Sequence, residues 1–272
     1  MPEGPEIKRV ADKLSSALVG KKIYNVRFLY PSISKAYSLV KDFKILSVSS
    51  IGKALIINFE NGYSLYSHNQ LYGKWTVNLK DTNSRTNRSL RVEFITEKKA
   101  VRLWSATEIL LIPTRGVNEN SYIKNLGLDI LNESVDYVEI KKRLSSSVCK
   151  NRMVAHMLLD QKAFAGIGNY LRSEILFSAN LNPYKKPKDL DCNSLSNFAK
   201  SIKKISLRAY KNNGITVSDN IRNKGISNKI PRRQWKHYVF CRNNMPCFKC
   251  SETISRIRVS GRRLDYCPSC QK

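Results

Sequence analysis

Four cysteines near the carboxyl end form the most specific chemical pattern in this 272-residue sequence. They occur as two Cys-x2-Cys pairs separated by sixteen residues, Cys247 with Cys250 and Cys267 with Cys270. Thiolates at this spacing are typical of a tetrahedral zinc site with no open coordination position. We therefore predict one structural zinc ion held by four cysteines. The total of seven cysteines is odd, which disfavours a disulfide framework and indicates a reducing, intracellular environment without secretion.

The amino end, MPEGPE, suits a second kind of chemistry. Met1 precedes a small residue and is normally removed, which leaves Pro2 as a secondary amine with a pKa near ~7.7–8. If a helix begins near Gly4, its positive end lowers that pKa and makes the amine more nucleophilic. The amine can then attack the C1′ carbon of a sugar and form an iminium ion, with Glu3 moving protons and Glu6 polarising the sugar or the amine. Alternatively, the two glutamates only complement the helix dipole.

Three internal segments carry residues that suit contacts with nucleic acid. Lys53 follows a glycine before a strand-like run, where it can hold a phosphate or remain an ordinary solvated lysine. Asn169 follows the glycine-containing stretch AGIG and opens a helical segment, where it can donate to a phosphate or cap the helix. Gln70, Leu71 and Tyr72 can fill a gap in stacked bases from an exposed turn, or they can belong to a core strand.

The charge of the chain favours a polyanionic partner. Lysine and arginine number 48 against 21 acidic residues, a formal net charge of +27. This surplus is spread along the chain and is not concentrated beside an amphipathic helix, so nucleic acid is favoured over a membrane surface. The sequence also contains no apolar run long enough to cross a bilayer and no secretory signal at its amino end.

The cysteine module is itself strongly basic. Between its cysteine pairs, ISRIRV alternates apolar and basic residues, and Ser260-Gly261 predicts a hairpin turn that places Arg262 and Arg263 near its tip. From Lys229 to the end of the chain, eleven basic residues are opposed by only two acidic ones. This composition predicts a nucleic-acid-binding finger.

The elements that position these residues differ between the two halves of the chain. The first half predicts a helix from Pro5 to about Gly20, a hairpin with a two-residue Asn61-Gly62 turn, and a second hairpin over 89–106. We expect these strands to form an antiparallel sandwich. In the second half, NRMVAHMLLDQKAF, NYLRSEILFSA and SLSNFAKSIKKISLRAYKN predict helices, with Glu174 as a structural partner. A polar stretch over roughly 212–230 connects them to the cysteine module.

Taken together and in this order, the motifs resemble those of the formamidopyrimidine-DNA glycosylase/endonuclease VIII family of DNA-repair enzymes. The similarity covers nearly the whole chain, through MPEGPEI, GKALI, LDQ with GIGNYLR and EIL, and PCFKC with GRRLDYCPSCQ. SLYSHNQLYGKW is most similar to the endonuclease VIII branch. The other branch has a methionine near this turn, and residues 106–122 lack its second wedge loop in recognisable form.

The resemblance implies roles for individual residues. Pro2 would be the Schiff-base nucleophile and Glu3 the acid/base catalyst, while Glu6 and Lys53 would support the reaction. Six residues would bind phosphates or fill the space that an extruded nucleotide leaves in the base stack. The implied DNA contacts are Lys53, Asn169, Arg262, Gln70, Leu71 and Tyr72.

The implied fold is of the α+β class. It comprises an amino-terminal helix with a β-sandwich over 1–128, a helix-two-turn-helix domain over 139–224 and a zinc β-hairpin finger over 236–272, with a cleft after the first domain.

The implied function is a bifunctional DNA glycosylase and abasic-site lyase of base excision repair. We expect it to remove oxidised pyrimidines and cleave the strand by β,δ-elimination, acting as a monomer that binds damaged DNA mainly through the phosphate backbone. The alternatives are an oxidised-purine or formamidopyrimidine glycosylase of the same family and a non-catalytic protein that binds damaged DNA.

Overall fold

The computed structural model describes residues 2–272, which form two compact units divided between Asn125 and Leu126. The first unit is dominated by strands and the second by helices, as the periodicity of the sequence predicts. The three-domain division into 1–128, 139–224 and 236–272 stays a prediction. The helices are α1 (Gly4–Leu18), α2 (Tyr137–Ser145), α3 (Val154–Met157), α4 (Asn169–Ser178), α5 (Cys192–Lys211), α6 (Asp219–Ser227) and α7 (Arg232–Trp235).

The strands form antiparallel sheets except for one short parallel pair. They are β1 (Ile23–Phe28), β2 (Ile45–Ile51), β3 (Ala54–Phe59), β4 (Tyr63–His68), β5 (Lys74–Leu79), β6 (Leu90–Thr96), β7 (Lys99–Trp104), β8 (Glu108–Pro113), β9 (Leu128–Asp129), β10 (Phe164–Ala165), β11 (Ser255–Val259) and β12 (Arg262–Tyr266).

Helix α1 forms because apolar residues recur along one face at the helical period. Ile7, Ala11, Leu14 and Leu18 are all buried in the core of the first unit. Soon after the helix ends, Gly20 takes a left-handed φ of +69°, which a glycine adopts without a steric penalty. The helix thus begins and ends close to where the sequence predicts.

Two four-stranded sheets make up the rest of the first unit. Their strand orders are β1-β6-β7-β5 and β2-β3-β4-β8. Inward-facing residues of both sheets, including Phe59, Leu65, Phe94 and Leu103, share one buried cluster with the apolar face of α1. The predicted sandwich and the predicted hairpin over 89–106 (β6–β7) are confirmed.

The turn between β3 and β4 differs from the prediction. It spans the three residues 60–62 and not two, with Asn58 paired with Ser64 and the Gly62 N–H donating to the Phe59 carbonyl. Gly62 alone takes a left-handed φ, +81°, whereas a two-residue Asn-Gly turn needs positive φ at both residues. The Asn61 amide donates instead to the Leu39 carbonyl.

The second unit is built around a helical core. Helices α2, α4 and α5 contribute buried residues to it, and Val259 and Leu264 of the β11–β12 hairpin belong to the same cluster. Predicted helices over 169–179 and 194–212 are confirmed as α4 and α5. The polar stretch over 212–230 also contains α6, whose Gly225 lies directly under the Trp235 ring, with only 2.5 Å available to an added Cβ.

The predicted helix over 151–164 is wrong for most of its length. Only Val154–Met157 is helical, and Phe164–Ala165 pairs in parallel with Leu128–Asp129. The helix ends at Met157, and three residues later the Asp160 carboxylate accepts the Lys162 N–H at 2.9 Å, which offers the backbone there a turn in place of a helix. Among the helices of residues 2–272, none is long and apolar enough to span a membrane.

Candidate active site and nucleic-acid contacts

The start of α1 brings the three amino-terminal candidates together. Glu3 immediately precedes the helix with extended backbone and is only 4% exposed, and Pro2 beside it is half-buried. The N–H of Glu3 donates to Glu6 Oε2 at 3.0 Å, and Arg9 donates to Glu6 Oε1 at 2.9 Å. Glu3 and Glu6 thus form a capping box at the start of the helix, and Glu6 also fixes the backbone beside Pro2. The positive end of a 15-residue helix lies at this point.

Lys53 lies in a two-residue turn between β2 and β3. Ile51 pairs with Ala54, and Gly52 takes a left-handed φ of +59°. Lys53 is only 5% exposed, so the alternative of a solvated surface lysine is wrong. Its backbone N–H donates to the Tyr122 hydroxyl at 3.0 Å. The turn thus holds a largely buried ammonium at the rim of a sheet, which suits a phosphate ligand.

His68 lies near Lys53 and was not among the predicted site residues. Burial lowers the pKa of His68, the Lys53 ammonium lowers it further, and the Glu108 carboxylate opposes both. Its ring contacts the Tyr122 ring edge-on, with 4.8 Å between centroids. The site therefore presents a neutral imidazole at neutral pH. Its position in the sequence, two residues before Gln70, is the feature that could have identified His68 as a site residue.

The segment over 69–73 is an exposed turn, and the alternative of a core strand is excluded. Leu71 and Tyr72 are 68% and 67% exposed. The Gly73 N–H donates to the Asn69 carbonyl at 2.7 Å, and Gln70 has a left-handed φ of +45°. An apolar and an aromatic side chain thus project from the protein together, as insertion into a base stack requires.

Glu108 holds the base of this turn. Its Oε2 accepts from Gln70 Nε2 at 2.7 Å, and its Oε1 accepts from the Tyr66 hydroxyl at 2.6 Å. Burial and the neighbouring carboxylate raise the pKa of Tyr66, so the phenol remains a donor. No local pattern predicts this contact, because it joins residues 38 positions apart.

Asn169 is the first residue of α4, and Gly168 occupies the capping position. The alternative in which Asn169 caps the helix is therefore wrong. Its Oδ1 is buried and has no hydrogen-bond partner within residues 2–272. Oδ1 can only accept a hydrogen bond, so a phosphate oxygen would instead be met by the Asn169 Nδ2 donor together with the helix start.

The β11–β12 hairpin carries Arg262. Val259 pairs with Arg262 across Ser260 and Gly261, whose φ values of +51° and +71° fit the predicted tight turn. Arg262 is exposed at the hairpin tip, and Arg263 lies over the Phe240 ring. The hairpin thus exposes the guanidinium of Arg262 to solvent, whereas the guanidinium of Arg263 packs against the protein.

The four predicted zinc ligands form a cluster. The sulfur atoms of Cys247, Cys250, Cys267 and Cys270 all lie within 4.8 Å of one another. Three of the Sγ–Sγ distances are 4.0, 3.5 and 3.4 Å. Tetrahedral zinc with Zn–S bonds of about 2.3 Å needs sulfurs about 3.8 Å apart, so the donor set fits this metal.

Buried polar residues of α4 join the helix to the segments around the hairpin. Glu174 is fully buried, and its carboxylate accepts from the backbone N–H groups of Tyr238, Val239 and Phe240 and from the Thr216 hydroxyl. Glu174 thus has the structural role predicted for it. Arg172, two residues before Glu174, is also buried, and the sequence does not predict that it helps to join α4 to these segments.

The chain matches the models of two domains of one enzyme family. Residues 1–108 match the formamidopyrimidine-DNA glycosylase N-terminal domain, and residues 126–220 match the formamidopyrimidine-DNA glycosylase H2TH domain. The protein therefore belongs to the formamidopyrimidine-DNA glycosylase/endonuclease VIII family, a class of DNA glycosylases of base excision repair.

Within this class, several curated relatives that match over the full chain carry the name Endonuclease 8. The chain is 35% identical to Endonuclease 8 of Klebsiella pneumoniae and 36% identical to that of Escherichia coli, in each case over 271 residues and the full length of both chains. The predicted similarity to the endonuclease VIII branch is confirmed.

Solved structures share the fold over the whole chain. A complex of Lactococcus lactis Fpg (MutM) with DNA containing an oxidised pyrimidine aligns with a TM-score of 0.80 at 24% identity and 100% coverage of both chains. A complex of MutM with DNA containing carbocyclic 8-oxo-G aligns with a TM-score of 0.79 at 24% identity, again over both full chains. At this identity the likeness establishes the fold alone.

Proposed function

We propose that this protein is a bifunctional DNA glycosylase and abasic-site lyase that removes oxidised pyrimidines, such as thymine glycol and 5-hydroxycytosine. The observation that carries the proposal is the half-buried Pro2 beside the buried Glu3 at the positive end of α1. The family membership and the full-length similarity to Endonuclease 8 support it.

The chemistry begins at the amino end. After removal of Met1, the Pro2 nitrogen forms a bond to C1′ of the damaged nucleotide as the bond from C1′ to the base breaks and the amine gives up its proton. Protonation of O4′ and cleavage of the C1′–O4′ bond then open the sugar ring and form an iminium ion. Glu3 exchanges protons with the reacting sugar. The iminium withdraws electrons, so the 3′-phosphate and then the 5′-phosphate are eliminated. Each elimination also removes a proton from the sugar, and water then hydrolyses the iminium, which releases the unsaturated sugar fragment as an aldehyde and restores the Pro2 amine. The products are the free base, this sugar fragment and a one-nucleotide gap with phosphates on both ends.

DNA binding uses the remaining candidates. Lys53, Asn169 and Arg262 contact phosphates, and Gln70, Leu71 and Tyr72 fill the space that the extruded nucleotide leaves. Extrusion costs a few kcal/mol and costs less at a damaged base, which favours the lesion. Because lysine and arginine contacts to the backbone dominate the affinity, binding should weaken steeply with salt.

The zinc ion has a structural role in this proposal. Cys247, Cys250, Cys267 and Cys270 would hold it with all four positions filled, and the bound ion would fix the hairpin that carries Arg262. We further propose that the protein acts as a monomer. Its unpaired thiols support a reducing intracellular compartment.

Borohydride trapping on a panel of lesion-bearing duplexes tests the proposal. The protein should form a covalent adduct with thymine glycol and 5-hydroxycytosine substrates, and Pro2→Gly should greatly reduce both trapping and base release. Glu60→Gln, at an exposed glutamate of the same unit, is the matched control and should leave both unchanged. Normal turnover by Pro2→Gly would remove the amine from the mechanism.

The panel also decides between the alternatives. Faster release of an oxidised purine or formamidopyrimidine than of any oxidised pyrimidine would overturn the substrate assignment. Binding to lesion DNA without trapping or base release would identify a non-catalytic damage-binding protein.

A further inference from the structure

Helix α4 contains a fully buried arginine that connects it to the hairpin tip. Arg172 donates through Nη2 to the backbone carbonyls of Arg263 at 2.8 Å and Arg262 at 3.4 Å. Its Nη1 donates to the Ala155 carbonyl at 3.0 Å. One rigid guanidinium thus joins three backbone carbonyls from two other segments of the second unit, which a lysine cannot do with the same geometry.

The position of Arg172 on the helix places it on the same face as Asn169. Residues three apart lie one above the other on an α-helix. One turn of α4 therefore carries Asn169 itself and the side chain that holds the backbone of Arg262. The two candidate phosphate contacts of the second unit share a single rigid support.

The base of the hairpin is fixed independently of Arg172. The Asp265 N–H donates to Ser173 Oγ at 3.4 Å, and the fully buried Asp265 carboxylate accepts from Arg256 at 2.6 Å and from the Cys241 N–H at 2.7 Å. One pair of zinc cysteines, Cys247 and Cys250, precedes β11, and the other pair begins with Cys267 directly after β12. Loss of the Arg172 contacts would consequently release the tip around Arg262 while the rest of the finger stays attached.

We propose that Arg172 is a positioning residue that fixes the Arg262 backbone in register with Asn169, so that both side chains meet neighbouring phosphates of one strand. The inference rests on the proposed function, which makes Arg262 a phosphate contact. Its physical basis is entropy: a long side chain on a fixed backbone loses less freedom when it binds than one on a mobile tip.

A double-mutant cycle in the full-length, zinc-loaded protein tests this role. Binding to a duplex with an uncleavable tetrahydrofuran abasic site is measured by fluorescence anisotropy over a range of salt concentrations. The variants are Arg172→Met, Arg172→Lys and Arg262→Ala, alone and combined. Arg242→Met is the matched control, because Arg242 is also buried and donates to three backbone carbonyls, those of Gln234, Tyr238 and Pro246.

We expect Arg172→Met to weaken binding about tenfold and to lower the slope of log K against log salt by about 0.9, as for the loss of one phosphate contact. In the Arg262→Ala background the same substitution should weaken binding less than about twofold, since nothing remains to be positioned. Arg172→Lys should give an intermediate loss. Arg242→Met should have the same effect in both backgrounds.

Zinc content and thermal unfolding, measured on every variant, separate positioning from general damage. If the Arg172→Met variant does not retain zinc, the double-mutant cycle is measured with Arg172→Lys in its place. An equal effect of Arg172 substitution with and without Arg262, no effect at all, or normal binding by Arg262→Ala would each overturn the inference. Failure of the proposed chemistry is distinguishable, because it is measured by trapping and base release, whereas this cycle measures equilibrium binding to uncleavable DNA.

Discussion

Replacing Glu174 by glutamine should destabilise the second unit substantially, although the two side chains have nearly the same shape. The carboxylate is fully buried, and burial raises its pKa, whereas the four hydrogen bonds that it accepts oppose this rise by favouring the ionised form. Four donors fill its two oxygens: Oε1 accepts from the N–H groups of Val239 and Phe240, and Oε2 from the Tyr238 N–H and the Thr216 hydroxyl. An acceptor-only group suits this arrangement, and an amide does not.

The magnitude follows from the donors that glutamine cannot serve. With its oxygen toward Val239 and Phe240, glutamine turns its NH₂ toward the Tyr238 N–H. The Thr216 hydroxyl can rotate and accept, but the buried Tyr238 N–H loses its partner at a cost of about 1–3 kcal/mol. The bonds from Val239 and Phe240 lose their charge assistance, about 1 kcal/mol each. The sum is about 3–5 kcal/mol, equivalent to a fall in Tm of about 10 °C for a unit of this size.

Thermal unfolding followed by far-UV circular dichroism measures this change, because most helices lie in the second unit. Native-state hydrogen exchange should show faster exchange of the Tyr238 amide than in the unmodified protein. Glu133→Gln, at an exposed position of the same unit, is the control and should change Tm by less than about 2 °C. A similarly small change for Glu174→Gln, with the Tyr238 amide still protected, would refute the reasoning.

Other consequences of the structure can be measured separately. Glu93 is 4% exposed, and although burial opposes it, hydrogen bonds from Arg27 and Arg102 lower its pKa. The contribution of Glu93 to the free energy of unfolding is therefore fully present above its ordinary pKa near 4.5. This contribution is lost as the pH falls through the lower pKa of the folded state. Glu93→Gln should lower the free energy of unfolding by about 2–3 kcal/mol at pH 7. Urea unfolding should show that the difference between the variant and the unmodified protein shrinks below pH 4. Gly73→Ala places a Cβ 2.6 Å from the Asn69 backbone and should weaken binding to abasic-site DNA about tenfold, whereas Gly116→Ala, with nothing within 4 Å, should leave it unchanged. Chelation of zinc should abolish the protection of hairpin amides against hydrogen exchange, while protection of β3 and β4 persists; equal loss in both would contradict a local structural role.

Local patterns in the sequence predict much of this fold because each depends on near neighbours. The helical period of α1, the alternation around Ser260-Gly261 and the cysteine spacing all concern residues within a few positions, and each is found as predicted. Where the prediction is wrong, a side chain competes with the backbone pattern. In the predicted helix over 151–164, which ends at Met157, Asp160 accepts the Lys162 N–H and favours a turn over further helix.

The candidate site was predicted less completely, because several of its contacts join distant parts of the chain. Residues in motifs, such as Lys53 and Gln70, carry a local signal. Their partners do not: Glu108 lies 38 positions from Gln70, and Tyr122 lies 69 positions from Lys53. Arg172 meets carbonyls about 90 positions away, and a backbone carbonyl leaves no trace in residue identity.

The arrangement of α4 limits how its length can vary. Asn169, Arg172 and Glu174 each depend on a fixed angular position around one helix axis, and an added or deleted residue between them would rotate every following side chain by about 100°. Such a change would turn Glu174 away from its donors even if every amino acid were kept. The exposed loop over 81–88 is held by fewer contacts, from Arg102 to Thr82 and Ser84 and from Arg88 to the Tyr72 carbonyl, so insertions within it should be tolerated better than insertions in α4.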